Sequence, residues 1–158
     1  MATWDGSLAD RVENDILKLI TGQGTSSGPF GTIAAGQTSG WGLALHKAHP
    51  TDDNTAGAEL TTGGSTNYLR IPSDGKWAVP TDGSVISSAA CRWPSGAGTA
   101  GNNWETIVGV GLWTSTTVGG GSFVAYNPLF MSVATLSGSF FVINIGGLAF
   151  SIGGAPIT

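Results

Sequence analysis

The chain has 158 residues and a formal net charge of −4, with only 10% charged residues against 41% hydrophobic ones. That length suits one domain able to bury a core. The low charge with six Trp and six Phe argues against disorder, and the sequence pI of about 4.8 argues against a basic nucleic-acid footprint. Gly, Ser and Thr supply 26, 16 and 18 residues, the composition of a turn-rich, all-β body.

The first element in chain order is a helix. Leu8, Val12, Ile16, Leu19 and Ile20 recur at helical spacing, so that stripe is expected to be buried. Ser7 is placed to cap its start and Gly22 to stop it. Gly22 to Gly40 is nearly all small and polar apart from Pro29-Phe30, and reads as a linker or as an arm that orders on a partner. The N-terminus has no basic region followed by an apolar run, so no secretory signal is expected and the protein is read as made in the cytosol.

Short strands follow, separated by turn residues. They are expected at 41–46, 67–71, 84–93, 105–113, 122–128, 139–145 and 148–152. Val108, Val110 and Leu112 form an apolar face. Gly109 and Gly111 strip the opposite one, which points to a bulge or the close approach of another backbone. Thr117 to Gly121 reads as a hairpin loop, and Gly146-Gly147 as a two-residue hairpin. Cys91, alone in the chain, reads as a small buried hydrophobe within an alternating run. The apolar stretch 140–152 is too short and interrupted to span a bilayer, so no membrane partner is expected. The expected architecture is an antiparallel β-sandwich or jelly roll with one short N-terminal amphipathic helix. Residues 1–40 form the helix and arm, and residues 41–158 the β domain.

Reactive constellations are scarce. His46 and His49 are three apart near Asp52 and Asp53, but Pro50 breaks any helix there and no third ligand set is evident. No catalytic serine is read in a Gly-x-Ser-x-Gly elbow, and no glycine cluster leads into a phosphate loop. Glu59 and Glu105 carry no sign of facing each other as a glycosidase pair. The tryptophans could form a sugar platform, yet Trp at strand ends such as Trp41, Trp93 and Trp113 more often packs core or rim. The reading is of no enzyme, no metal and no cofactor, with a carbohydrate-binding module as the outside possibility.

Several segments together resemble a family. Leu45-His46-Lys47-Ala48-His49-Pro50, continuing to Gly57-Ala58-Glu59-Leu60, is similar to the Leu-His-x-x-x-Pro…Gly-x-Glu-Val stretch of small phage virion proteins. Gly63-Gly64 and Tyr68-Leu69-Arg70 resemble that family's Gly-Gly-x-Tyr-x-Arg element, with three extra residues between. The run from Asn102 to Trp113 resembles its Trp-Gly-Thr-Val-Thr-His-Val-Gly-Ile-Trp hallmark, and Gly120-Gly121 to Tyr126 its hairpin. Residues 141–150 resemble its closing strand, turn and strand.

The resemblance implies a β-sandwich component of the virion. The first expectation is a capsid decoration (cement) protein binding the major capsid protein and stabilising the head shell; the alternative is a tail fibre or minor tail appendage contacting the host surface. A homotrimer is implied, with other virion proteins as partners and no nucleic acid. The candidate interface residues are Trp4, Leu8, Val12, Ile16, Phe30 and Trp41.

Overall fold

The computed structural model describes residues 10–23, 25–28, 31–33, 40–50, 58–60, 67–95 and 99–152. Helix α1 (Asp10–Ile20) stops at the expected glycine. Gly22 has φ +76°, its N–H donates to Leu19 O (3.3 Å), and the Gln23 N–H donates to Lys18 O (2.9 Å). These paired bonds satisfy the last helical carbonyls, and the left-handed residue they require favours glycine.

The buried side of α1 differs from the expected stripe. Leu17 is fully buried, with Glu13, Asp15 and Thr21 buried as well. Val12, Ile16 and Ile20 are half-buried, and Leu19 is 37% exposed. Positions 13, 17 and 21 lie one turn apart on one face. That side of the body makes polar contacts: Asn14 Oδ1 accepts from the Gly83 N–H (3.0 Å), and Gln23 Nε2 donates to Ala78 O (2.6 Å). An apolar count alone therefore selects the wrong edge of the helix.

The Gly/Ser/Thr-rich segment contains two paired strands, β1 (Thr25–Gly28) and β2 (Gly31–Ile33), where an arm was expected. Gly24-Thr25-Ser26-Ser27-Gly28 does have the letter spacing of a nucleophile elbow. It follows a helix and runs into β1, whereas the elbow is a turn from strand to helix.

The central sheet has four antiparallel strands in the order β4 (Ile71–Pro72), β3 (Gly42–His46), β7 (Ile107–Trp113), β8 (Phe123–Val133). Every residue of β3 is buried, so both its faces are covered. Two further antiparallel pairs join β5 (Ser84–Ile86) to β10 (Ala149–Ser151) and β6 (Cys91–Trp93) to β9 (Phe141–Ile143). The protein is all-β apart from α1.

The single strand expected over 84–93 is thus two strands. Between them, the Ser87 N–H donates to Leu148 O (2.8 Å) and the Ser88 N–H to Lys76 O (2.7 Å), as the backbone changes partners. For the same reason Gly146-Gly147 forms a turn without a hairpin: Gly147 N–H closes on Asn144 O (2.9 Å), but β9 and β10 pair with different strands. The loop 117–121 does join a paired hairpin, β7 with β8.

The core gathers Leu43, Leu45, Tyr68, Trp93, Ile107, Val110, Leu112 and Leu148. Trp93 satisfies its indole N–H on Leu43 O (3.3 Å). Cys91 is fully buried in this core, and burial pushes its thiol pKa up, as suits a packing residue. No helix among the described residues is long and apolar enough to cross a membrane.

The helix face gives a direct check. Leu17→Ala should cost about 2–5 kcal/mol of stability, the usual range for a buried leucine, while Leu19→Ala costs less than about 1 kcal/mol. Urea unfolding followed by Trp fluorescence measures both. A larger loss at Leu19 would reverse the assignment of the face.

Candidate functional site

The glycines of β7 make room for rings. His46 and Ala44 of β3 lie opposite Gly109 and Gly111 on one side, and Pro128 and Tyr126 of β8 lie opposite them on the other. A Cβ on Gly109 would fall 2.1 Å from Tyr126 Oη, and one on Gly111 would fall 2.3 Å from His46 Nε2. Side chains, rather than another backbone, therefore fill the space over the strand. Trp113 and Phe123 complete the cluster, with ring centroids 5.5–6.1 Å apart: His46–Trp113 at 6.1 Å, His46–Tyr126 at 5.5 Å and Trp113–Phe123 at 5.5 Å. His49, exposed in the turn after β3, sets its ring edge-on to Tyr126 at 5.4 Å.

A buried ion pair lies against this cluster. Arg70 Nε and Nη2 donate to Glu59 Oε1 and Oε2, both at 2.7 Å, with each residue 4% exposed. Arg70 Nη1 donates to Ser115 O (2.8 Å) and Gly120 O (2.7 Å), holding the β7–β8 loop. The guanidinium stacks 4.1 Å from the Trp113 ring centroid. Tyr68 Oη donates to Glu59 Oε1 (3.1 Å) and accepts the Leu45 N–H (2.9 Å). Burial, reinforced by the Glu59 charge, holds the Tyr68 phenol well above its usual range.

Trp113 Nε1 donates to His46 Nε2 (3.3 Å). Burial lowers the His46 pKa from 6.5 to about 4, with Glu59 opposing and Arg70 assisting. The imidazole is therefore neutral at pH 7, and its Nε2 is already engaged as an acceptor. Glu105, by contrast, is exposed and pairs with Lys47 (2.8 Å), so the two glutamates occupy separate settings. Among the described residues no three His, Cys, Asp or Glu side chains gather as a metal-binding group. The arrangement is a clamp. It fastens Glu59, whose backbone forms an isolated antiparallel bridge with His46, to the segment before β4 and to the β7–β8 loop.

The candidate interface residues lie elsewhere. Val12 and Ile16 are half-buried on α1, and Trp41 is half-buried against the core just before β3. Trp4, Leu8 and Phe30 fall outside the described residues.

Sequence reasoning missed a feature of β8. Pro128 lies opposite Gly109 and Val133 opposite Ile107, so Leu129 to Ser132 together face Val108 alone. This is a bulge of the kind that re-aims side chains. Leu129 packs on the core, Phe130 is fully exposed and Met131 is 70% exposed. The strand was expected over 122–128 only. The signal that could have extended it is the apolar run Leu129-Phe130-Met131 that follows directly.

The family model described as Podophage GP4 fiber I protein gp80 matches residues 8–151. The chain belongs to this fibre-protein family. It is a structural protein of the phage virion and interacts there with other virion components. The matched span takes in the helix, the clamp and the β8 bulge. No curated protein matches the chain.

Two outcomes test the clamp. Arg70→Met leaves Glu59 buried without its cation and should cost about 3–5 kcal/mol, while the double variant with Glu59→Met should lose less than the sum of the single losses. Urea unfolding of all three variants measures this; strict additivity would show that the two groups do not act as a pair.

The second outcome concerns pH. The folded value for His46 lies below the unfolded one, so its stabilisation is complete above pH 6.5 and is lost as pH falls toward 4. The loss reaches about 3 kcal/mol at roughly 1.4 kcal/mol per tenfold change in protonation. His46→Gln should flatten the stability profile over that window. Parallel profiles for the variant and wild type would contradict the assignment.

Proposed function

We propose that this chain is a structural subunit of a virion fibre and works by contact, without chemistry of its own. The observation that carries this reading is the match to a fibre-protein family over residues 8–151. The clamp supports it, since Glu59, Arg70 and Tyr68 direct their buried polar groups to one another and to the backbone. The exposed apolar side chains of β8 suit a protein that packs against others.

In this reading residues 41–158 form the β body, and residues 1–40 attach it to the rest of the virion through Trp4, Leu8, Val12, Ile16 and Phe30, with Trp41 at the junction. The chain acts as a homo-oligomer, and a trimer is the state we expect. Decoration of the head shell through the major capsid protein is the competing assignment, and location on the particle separates the two.

Antibody to the chain, carried on gold, should label the appendages of intact virions, and quantitative mass spectrometry should count copies suited to a few fibres. Labelling over the whole head, with copies approaching those of the capsid protein, would overturn the fibre assignment in favour of decoration.

A further inference from the structure

We propose that Asp74-Gly75 is a site of spontaneous backbone modification, where Asp74 isomerises to isoaspartate through a cyclic imide. The fold protects Asp82-Gly83, the other such pair among the described residues, from the same reaction. A third pair, Asp5-Gly6, lies outside the described residues.

The reaction uses only the chain and water. The backbone nitrogen of the glycine attacks Cγ of the preceding aspartic acid, whose carboxyl is in its neutral form. A new N–Cγ bond closes a five-membered imide. The carboxyl hydroxyl and the amide proton leave together as one water. Water then opens the ring, its hydroxyl adding to a carbonyl carbon and its proton returning to the nitrogen. Breaking the N–Cγ bond restores aspartate. Breaking the bond from nitrogen to the original main-chain carbonyl leaves the chain running through Cγ, as isoaspartate of unchanged mass. Glycine suits the attack because it has no Cβ to crowd the ring and turns freely about its backbone.

The surroundings of Asp74-Gly75 leave this path open. Both residues are exposed, and a Cβ on Gly75 would meet nothing within 4 Å. They sit at the centre of a turn closed by the Lys76 N–H on Ser73 O (3.2 Å). Gly75, with φ +68°, is the left-handed third residue that a type II turn requires. The peptide between Asp74 and Gly75 takes no part in the closing bond. Among the described residues the Gly75 N–H makes no hydrogen bond, so its nitrogen can rotate toward Cγ without breaking one.

Asp82-Gly83 has the same two residues in a locked setting. Thr81 and Ser84 exchange both N–H···O bonds at 2.9 Å around it. Asp82 (φ +49°) and Gly83 (φ +68°) are both left-handed, as in a type I′ hairpin turn. The Gly83 N–H donates to Asn14 Oδ1 (3.0 Å), and Gly83 O accepts the Ile152 N–H (2.9 Å). Gly83 is buried, and a Cβ there would collide with Glu13 Oε2. The attacking nitrogen is thus engaged and its peptide is held from both sides. Asp82 itself is exposed, so exposure alone would not separate the two pairs.

Isomerisation at 74 lengthens the main chain by one methylene inside a tethered turn. The Ser73 N–H donates to Trp41 O (3.1 Å), and Lys76 O accepts the Ser88 N–H (2.7 Å). The added atom therefore falls between two points fixed to the β body.

Peptide mapping of the full folded chain after prolonged warm incubation in mildly acidic buffer tests the proposal. Electron-transfer fragmentation tells isoaspartate from aspartate at each position, and the imide is lighter by one water. The products should accumulate at 74 at least about fivefold faster than at 82, the factor set by one net hydrogen bond that must open first. In the urea-unfolded chain the two positions should react at similar rates. Equal rates at 74 and 82 in the folded chain, faster reaction at 82, or no product at 74 would overturn the proposal. In Asn14→Ala the Gly83 N–H loses its acceptor, and isoaspartate should rise at 82 with 74 unchanged. A rate at 82 equal to wild type would overturn the protection assigned to Asn14.

Discussion

The Arg70 guanidinium is buried, and a buried cation must be matched in charge and in hydrogen bonds or the fold fails. Glu59 supplies the charge through two bonds of 2.7 Å, and the carbonyls of Ser115 and Gly120 take the remaining named donors. A planar, forked cation can serve a carboxylate and two loop carbonyls while its centre sits over the Trp113 ring. Lysine, a point charge, would satisfy fewer of these partners. Such a pair contributes more to choosing one arrangement than to net stability, since desolvation opposes the attraction between the charges. Here the arrangement it selects is the meeting of β3, the segment before β4 and the β7–β8 loop.

The segments that carry the family resemblance meet at this clamp. His46, Glu59, Tyr68, Arg70, Trp113, Gly120 and Tyr126 come from separate stretches of the chain, yet each touches another of the group in the fold. Gly109 and Gly111 belong to the same construction, because a methyl group on either would collide with a ring. Motifs that are individually weak thus have one physical cause, the packing of rings and a buried ion pair over a glycine-stripped strand.

Much of the fold was legible in the sequence where periodicity and turn chemistry act locally. The helix, its stop at Gly22 and the strands β3, β7, β9 and β10 lie within a few residues of the expected ranges. Features fixed by distant partners were not legible. The break between β5 and β6 reflects the separate positions of β10 and β9, which lie far along the chain. The buried face of α1 carries Glu13 and Thr21 beside Leu17, so counting apolar residues could not find it. The β8 bulge is set by its register with β7.

The central claim is that this clamped β body is a subunit of a virion fibre. A cryo-electron microscopy map of the intact virion tests it most directly. The account predicts density for this fold within an appendage. Density for it on the head shell would contradict the account.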